Sequence, residues 1–498
     1  MSNRLTIILA IVWATGTVAA EPIDMGIRRE LFVDDFLIEQ MHGARLRLHH
    51  PVPREVAVVH DTDWEGNTCG YHTVFQDGDV YRMYYRGSHH KRNTERGEHP
   101  QFTCYAESRD GIHWVKPELG LFEFDGSKAN NIVWAGSGTH NFAPFKDANP
   151  NCPPEAQYKA IGGIKGGLAT FASADGIHWY QTSDGPVITK GAFDSQNLAF
   201  WDTRTACYRD FHRGFTQGVR AIMTCTSEDF VNWTDPVWLE YTEGTPNEHL
   251  YTNQITQYPR APQIYMGFPK RFQPNRYAAG NTMPGLSDGV FMTSRDALVF
   301  HRWLEAWIRP GPQRQRWVNR NNMTAWGIVE TQAAIPGTPR ELSVYSTEGY
   351  YQGEFCQIRR YALRLDGFVS LSAPMRGGEI VTKPLVFAAP QEPRPEPEGI
   401  ASASTKTKEG TAWGEVMLLL NVATSAAGSV RCELQTADRT PISGFTMEEA
   451  DTIFGDEIQR IVSWGGGRSE LKQFVGQPIR LRIELKDADI YALRFGQP

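Results

Sequence analysis

A short pattern recurs along this chain, and recurrence at a near-regular interval restricts the fold more tightly than any other feature of the sequence. Ser108-Arg-Asp-Gly-Ile-His-Trp114 and Ser173-Ala-Asp-Gly-Ile-His-Trp179 are almost identical. Ser227-Glu-Asp-Phe-Val-Asn-Trp233, Ser294-Arg-Asp-Ala-Leu-Val-Phe300 and Ser346-Thr-Glu-Gly-Tyr-Tyr351 keep parts of the pattern, at spacings of 52 to 67 residues. Such an interval suits a four-stranded antiparallel sheet with long loops. Asp and Gly serve the turn between its third and fourth strands, and the aromatic residue packs between neighbouring sheets. Two strand-like runs precede each copy, as in Tyr71 to Phe75 and Val80 to Tyr85 around the turn Gln76 to Asp79. Five copies predict an all-β fold, a five-bladed β-propeller over residues 21–389. The run Glu30 to Glu39 is expected to supply the outermost strand of the last blade.

The two ends of the chain differ from this middle. Met1 to Ala20 carries Arg4, an apolar run and small residues ending in Val18-Ala19-Ala20, which predicts a signal peptide and a secreted or periplasmic protein. No later stretch approaches the roughly 20 apolar residues of a membrane helix, so no membrane span is expected. Pro390 to Glu398 is Pro-rich and charged and reads as a linker. Beyond it Val416 to Val422, Ser429 to Gln435, Pro478 to Leu485 and Ile490 to Phe495 alternate like strands with one wet face, so 390–498 is expected to form a C-terminal β-sandwich. A net charge of −7 spread over the chain argues against nucleic acid as partner. The seven Cys form no C-x-x-C pair and no zinc spacing, and no cofactor is expected. Cys207 and Cys225 would face each other in a hairpin turning near Thr216, as a disulfide or as two reduced thiols.

Five Ser-x-Asp-Gly-x-x-Trp-like units followed by a β-sandwich resemble the five-bladed glycosidases of families 32, 43 and 68, family 32 most of all. The resemblance implies cleavage of a glycosidic bond by carboxylates that project from the innermost strands into the central funnel. The family 32 signatures themselves are missing: there is no Trp-Met-Asn-Asp-Pro-Asn-Gly and no Glu-Cys, and Arg209-Asp210-Phe211 is a faint echo of Arg-Asp-Pro. Fructan chemistry is therefore not implied.

Propeller topology brings the residues just before each innermost strand to one face. Glu65, Asp194 and Glu248 fall at such entry positions of three blades. Glycosidic cleavage needs one carboxyl held protonated as acid and another as nucleophile or base. Glu248 is assigned as the acid, Asp194 as base or nucleophile, and Glu65 as the third group. Around them Asn67, Gln196, Asn197, Asn253, Asn321 and Asn322 are candidate readers of sugar hydroxyls, because an amide donates and accepts at once. Tyr71, His72, His140, Asn141, His249 and Tyr251 complete the lining. His72, His140 and His249 could approach a cation on the axis, but hydrogen-bonded roles are expected and no metal is assigned.

Basic residues recur where second strands end: Arg86, Lys165, Arg213 and Lys270-Arg271. They predict a carbohydrate ligand bearing uronate or sulfate groups, unless they simply pair with the neighbouring carboxylates. Two functions stay open, a glycoside hydrolase and a carbohydrate-binding propeller without turnover. The separation of Glu65, Asp194 and Glu248 discriminates between them.

Overall fold

The computed structural model describes residues 21–90, 98–278, 284–389 and 415–498. The signal peptide and the Pro-rich linker assigned from sequence lie outside these residues. The fold is all-β, with only three short 3-10 turns among the described residues. No described helix is long and apolar enough to cross a membrane.

Five separate antiparallel sheets follow one another along the chain. The first runs Gly70–Asp77, Val80–Gly87 and Phe102–Ser108, with Trp114–Val115 and Ile132–Ala135 both paired to its third strand. The second is Ala143–Lys146, Tyr158–Ile164, Gly167–Ser173 and Tyr180–Gln181; the third is Leu198–Asp202, Cys207–Thr216, Val219–Ser227 and Val237–Trp238. The fourth begins Thr256–Tyr258, Ala261–Gly267, Met292–Ser294 and Val299–Arg302, and the fifth Val329–Thr331, Glu341–Glu348 and Gln357–Arg364. Segments at the starts of the first, fourth and fifth sheets meet one another. Thr73 bridges Trp326, the Val74 amide donates to the Trp326 carbonyl at 2.8 Å, and the Trp326 indole donates to the Ile255 carbonyl at 2.8 Å.

Four of the motif copies make the same turn. In each, the Ser hydroxyl donates to the Asp carboxylate and accepts the amide three residues on, while the Asp accepts two further amides. The fourth position needs positive φ, met by Gly111 and Gly176 without strain and by Phe230 and Ala297 at 67° and 65°. The fifth expected copy is different: Ser346 lies inside the strand Glu341–Glu348, so Ser346 to Tyr351 is not this turn.

Two further expectations change. The strand that closes the fifth sheet comes from the N-terminal region, but it is Val52–Val59, paired with Gln357–Arg364, and not Glu30 to Glu39. Glu30–Leu31, Ile38–His42 and Arg45–Leu48 instead join Val369–Ala373, Gly378–Thr382 and Leu385–Phe387 in a ten-stranded sheet with the C-terminal strands. Two long strands, Met417–Thr436 and Ile479–Gly496, organise that sheet, and a register break between Thr424 and Ser429 bends it over a core that includes Phe32, Leu418, Trp464, Leu481 and Phe495. Strand alternation in Glu30 to Glu39 identifies a half-buried strand but not whose edge it satisfies, so the expected boundary at 389 divides residues that pair with one another. Cys207 and Cys225 are free thiols. The hairpin turns at Gln217-Gly218, which sets Cys225 opposite Asp210, three positions away from Cys207.

Candidate functional site

The segments that enter the first strands carry amide side chains for a structural reason. Each strand starts where the loop backbone still lacks partners, and a buried backbone group left unpaired is costly. Asn141 donates to the Phe193 and Ser195 carbonyls at 2.6 and 2.7 Å and accepts from the Gly163 amide. Asn197 donates to Phe193 and Ser195, Asn253 to Phe211, and Gln196 to the His72 carbonyl. Asn321 and Asn322 bind the backbones of Val318, Tyr350, Ser287 and Arg316, and Asn67 those of His90 and Gly353. These amides brace the loops with their donors, and among their oxygens Asn197 Oδ1 is left without a partner.

The three carboxylates expected together are held by different partners. Glu65 has a side chain with 0 % exposure; it accepts from the Tyr85 hydroxyl at 2.5 Å and from Lys116 Nζ at 2.6 Å. Burial pushes its carboxyl up, but His60 and Lys116 outweigh this and hold it below the ordinary range. Glu248 is bound by Arg302 at 2.9 Å and Arg271 at 3.6 Å, and Arg271 in turn grips Asp288. Of the three, Asp194 is the exposed one, with 61 % of its side chain accessible. It contacts His140 Nε2 at 2.9 Å and accepts from the Tyr251 hydroxyl at 3.3 Å. Burial raises its carboxyl, and His140, Arg320 and Arg213 more than reverse this, to about 2. No partner is shared among Glu65, Asp194 and Glu248.

Cations surround Asp194. Arg86, from the end of the second strand of the first sheet, lies 4.8 Å from the Tyr71 ring and donates to the Thr68 carbonyl, the Tyr350 hydroxyl and His140. Arg320, at φ 71° before the fifth sheet, donates to the Tyr350 and Tyr351 hydroxyls at 3.2 and 2.9 Å. On the other side Arg213, Arg220 and Lys270 lie 4.6, 5.2 and 3.8 Å from the Tyr251 ring. Lys270 is fully buried, and burial together with Arg320, Arg213 and Arg220 pulls its amine far down. Among the described residues none of these five groups has a carboxylate oxygen within 4.0 Å. Arg86 Nε, Arg213 Nη1, Arg220 Nε and Arg320 Nε are buried donors with no hydrogen-bond partner. Native interiors rarely tolerate such orphans, since each costs about 1–3 kcal/mol. Arginine nitrogens without partners also occur at Arg54, Arg460 and Arg494; what distinguishes the group near Asp194 is that its cations are not paired with carboxylates.

Of the basic residues expected at second-strand ends, the structure brings Arg86, Arg213 and Lys270 to this cluster. Lys165 is exposed in a hairpin turn, and Arg271 is neutralised by Asp288 and Glu248. Arg220, on a third strand, and Arg320, among the bracing asparagines, escaped sequence reasoning. The recurrence of basic residues at second-strand ends does not reach a third strand or the segment before a first strand, where Arg220 and Arg320 lie. His72 is buried on His60 at 3.0 Å, and His249 accepts from the Arg220 amide at 3.1 Å, so neither joins His140. A metal-type grouping does occur elsewhere: Asp210, His212 and Cys225, all buried, have ligand atoms within 4.8 Å of one another, with Asp210 hydrogen-bonded to His212.

No protein-family model matches the chain, and no curated protein matches its sequence. Solved structures with a similar course of chain include an N-acetylgalactosamine deacetylase from F. plautii in complex with blood group B trisaccharide. It is 14 % identical over 64 % of this chain and 95 % of its own, with a TM-score of 0.43. The catalytic domain of a Coprinopsis cinerea GH62 α-L-arabinofuranosidase is 10 % identical over 68 % and 98 %, TM-score 0.38. A Schwanniomyces occidentalis fructofuranosidase variant complexed with fructosylnystose is 10 % identical over 91 % and 98 %, TM-score 0.31.

Proposed function

We propose that the five sheets are the blades of a five-bladed propeller and that the protein, secreted by way of its N-terminal segment, cleaves a glycosidic bond in an anionic glycan held over the central opening. The observation that carries this reading is the set of four arginines with unpartnered buried donors around Asp194. A guanidinium fork matches a carboxylate or sulfate, and an opening in which cations outnumber Asp194, in a protein of net charge −7, draws an anionic ligand inward. Asp194 is the carboxylate available to the reaction. Binding without turnover is the second reading, favoured by the placement of Glu65 and Glu248 in ion pairs away from Asp194. A panel of uronate-bearing, sulfated and neutral polysaccharides tests both. Cleavage of an anionic member, lost in Asp194→Asn, supports the first; binding of the same member without product supports the second; cleavage of neutral glycans alone overturns the assignment of charge.

A further inference from the structure

We propose that the opening cleaves its glycan by β-elimination, and that its substrates are hexuronates linked through the oxygen on C4. This rests on the reading that an anionic glycan occupies the opening. Elimination begins with the proton on C5, which is acidic only when the adjoining carboxylate is neutralised. Arg86 and Arg320 on one side of Asp194, and Arg213 and Arg220 on the other, supply positive charge that no carboxylate within 4.0 Å offsets among the described residues. Such preorganised charge acts strongest where it need not reorganise.

The second observation is the kind of acid and base that the opening presents. Two-carboxylate hydrolysis needs a second carboxyl beside the first. Among the described residues, Asp194 is the one carboxylate bonded into the cluster. What stands beside it is an imidazole and a phenol. His140 has 39 % of its side chain exposed; its Nε2 rests on Asp194 at 2.9 Å and its Nδ1 on the Gln101 side-chain oxygen at 2.9 Å, a contact that the substrate must displace before Nδ1 takes a proton. Tyr71, at φ 57°, sits with its ring edge-on to His140 at 5.7 Å and beneath Arg86, and its hydroxyl makes no hydrogen bond to the described residues. Burial, with Arg86 adding to it against Asp194, moves His140 below the ordinary histidine range, so the ring is neutral and can take a proton. Burial and Tyr251 push Tyr71 up, so its hydroxyl keeps a proton to give.

The electrons balance without water or a redox partner. His140 removes the C5 proton, and Asp194 stabilises the imidazolium. The electron pair of that bond becomes the C4=C5 double bond as C4–O4 breaks, and the departing oxygen takes the Tyr71 proton. One product chain carries the new double bond at its non-reducing end, and the other is saturated. Solvent then carries the proton from His140 back to the Tyr71 phenolate.

The full chain is incubated with polygalacturonate, polymannuronate and a glucuronate-containing glycosaminoglycan. Binding, near-ultraviolet absorbance of the unsaturated uronate, and new reducing ends are followed together. Absorbance and reducing ends rising in equal amounts is the expected result, with Tyr71→Phe and His140→Gln each slowing both about a hundredfold or more while binding persists. The wild-type products stand on their own if a variant fails to fold. Reducing ends without absorbance overturn elimination and leave cleavage of an anionic glycan intact. A polyuronide that binds and yields neither signal overturns elimination together with cleavage. Failure of every polyuronide to bind overturns the uronate assignment.

Discussion

Replacing Arg220 with methionine is expected to make the unliganded protein more stable and its grip on an anionic ligand weaker. Arg220 opens the strand Val219–Ser227, and its guanidinium lies 5.2 Å from the rings of Phe215, Tyr251 and Phe272. Among the described residues its one side-chain hydrogen bond is a long one, 3.4 Å to His249 Nδ1, and Nε has no partner. Burial and the nearby Arg213 both disfavour the charged form. Methionine would keep an apolar stem among the same three rings and gain contacts of sulfur with aromatic rings, worth about 0.3–1.5 kcal/mol. It would lose cation–π attraction of about 0.5–1 kcal/mol. It would also remove an orphan donor costing about 1–3 kcal/mol, taken at the low end because the group is partly solvated. The backbone bond from Arg220 to His249 survives the change. The net is a gain of about 1 kcal/mol, or about 1–2 °C in Tm for a chain of this size. Scanning calorimetry at low and high salt measures it, with the difference shrinking as salt screens the neighbouring cations. A fall in Tm of several degrees at low salt would show that the guanidinium is well satisfied without a ligand, and the argument from unpartnered donors would fail.

The remaining expectations concern the carboxylates and the domain boundary. Asp194→Asn should abolish turnover without unfolding the chain. Because the Asp194 carboxyl is held at about 2, below its ordinary value, its contribution to stability is present above about pH 4 and is lost as pH falls toward 2. Solvent screening of an exposed side chain limits the loss to about 1 kcal/mol, read as the difference between wild type and Asp194→Asn in acid titrations of Tm. Glu248→Gln should leave turnover near wild type in the same assay, whereas Glu65→Gln should cost about 1–3 kcal/mol in denaturant unfolding, because the buried Tyr85 hydroxyl loses its charged acceptor while Lys116 keeps Asp61 and the Val59 carbonyl. A chain ended at Val386 should fail to fold or should aggregate, because Ile38–His42, Val369–Ala373 and Gly378–Thr382 would lose the long strand Ile479–Gly496 or the strands it anchors; gel filtration and circular dichroism decide this.

Four of the five sheets were legible because their shared turn is chemically self-contained: Ser108, Asp110 and Gly111 satisfy one another within four residues, wherever the rest of the chain goes. The fifth motif misled because Ser346-Thr-Glu-Gly has the letters of the turn at a place where Ser346 is paired across a strand with Arg359. The destination of Glu30 to Glu39 was illegible for a different reason, since the edge it completes is built by residues more than 400 positions away, such as Ala492 and Leu493. At the site, entry positions identified the right segments but not the right roles. A polar residue before a strand can serve the ligand or the loop, and Asn141, Asn197, Asn253 and Asn322 serve the loop. Glu65 and Glu248 show the same ambiguity for charge, each being held in an ion pair, whereas Asp194 stands exposed.

Whether the arginines around Asp194 receive a negatively charged glycan is decided by titrating the protein with a polyuronide and with the same polymer after its carboxyl groups have been reduced to alcohols. The comparison is made across a range of salt concentrations, with Arg86→Ala and Arg213→Ala alongside. Binding of the native polymer should weaken steadily as salt rises, the reduced polymer should bind far more weakly at every salt concentration, and both variants should lose affinity while keeping wild-type Tm within a few degrees. Equal, salt-insensitive binding of native and reduced polymer, unchanged in either variant, would contradict recognition by charge.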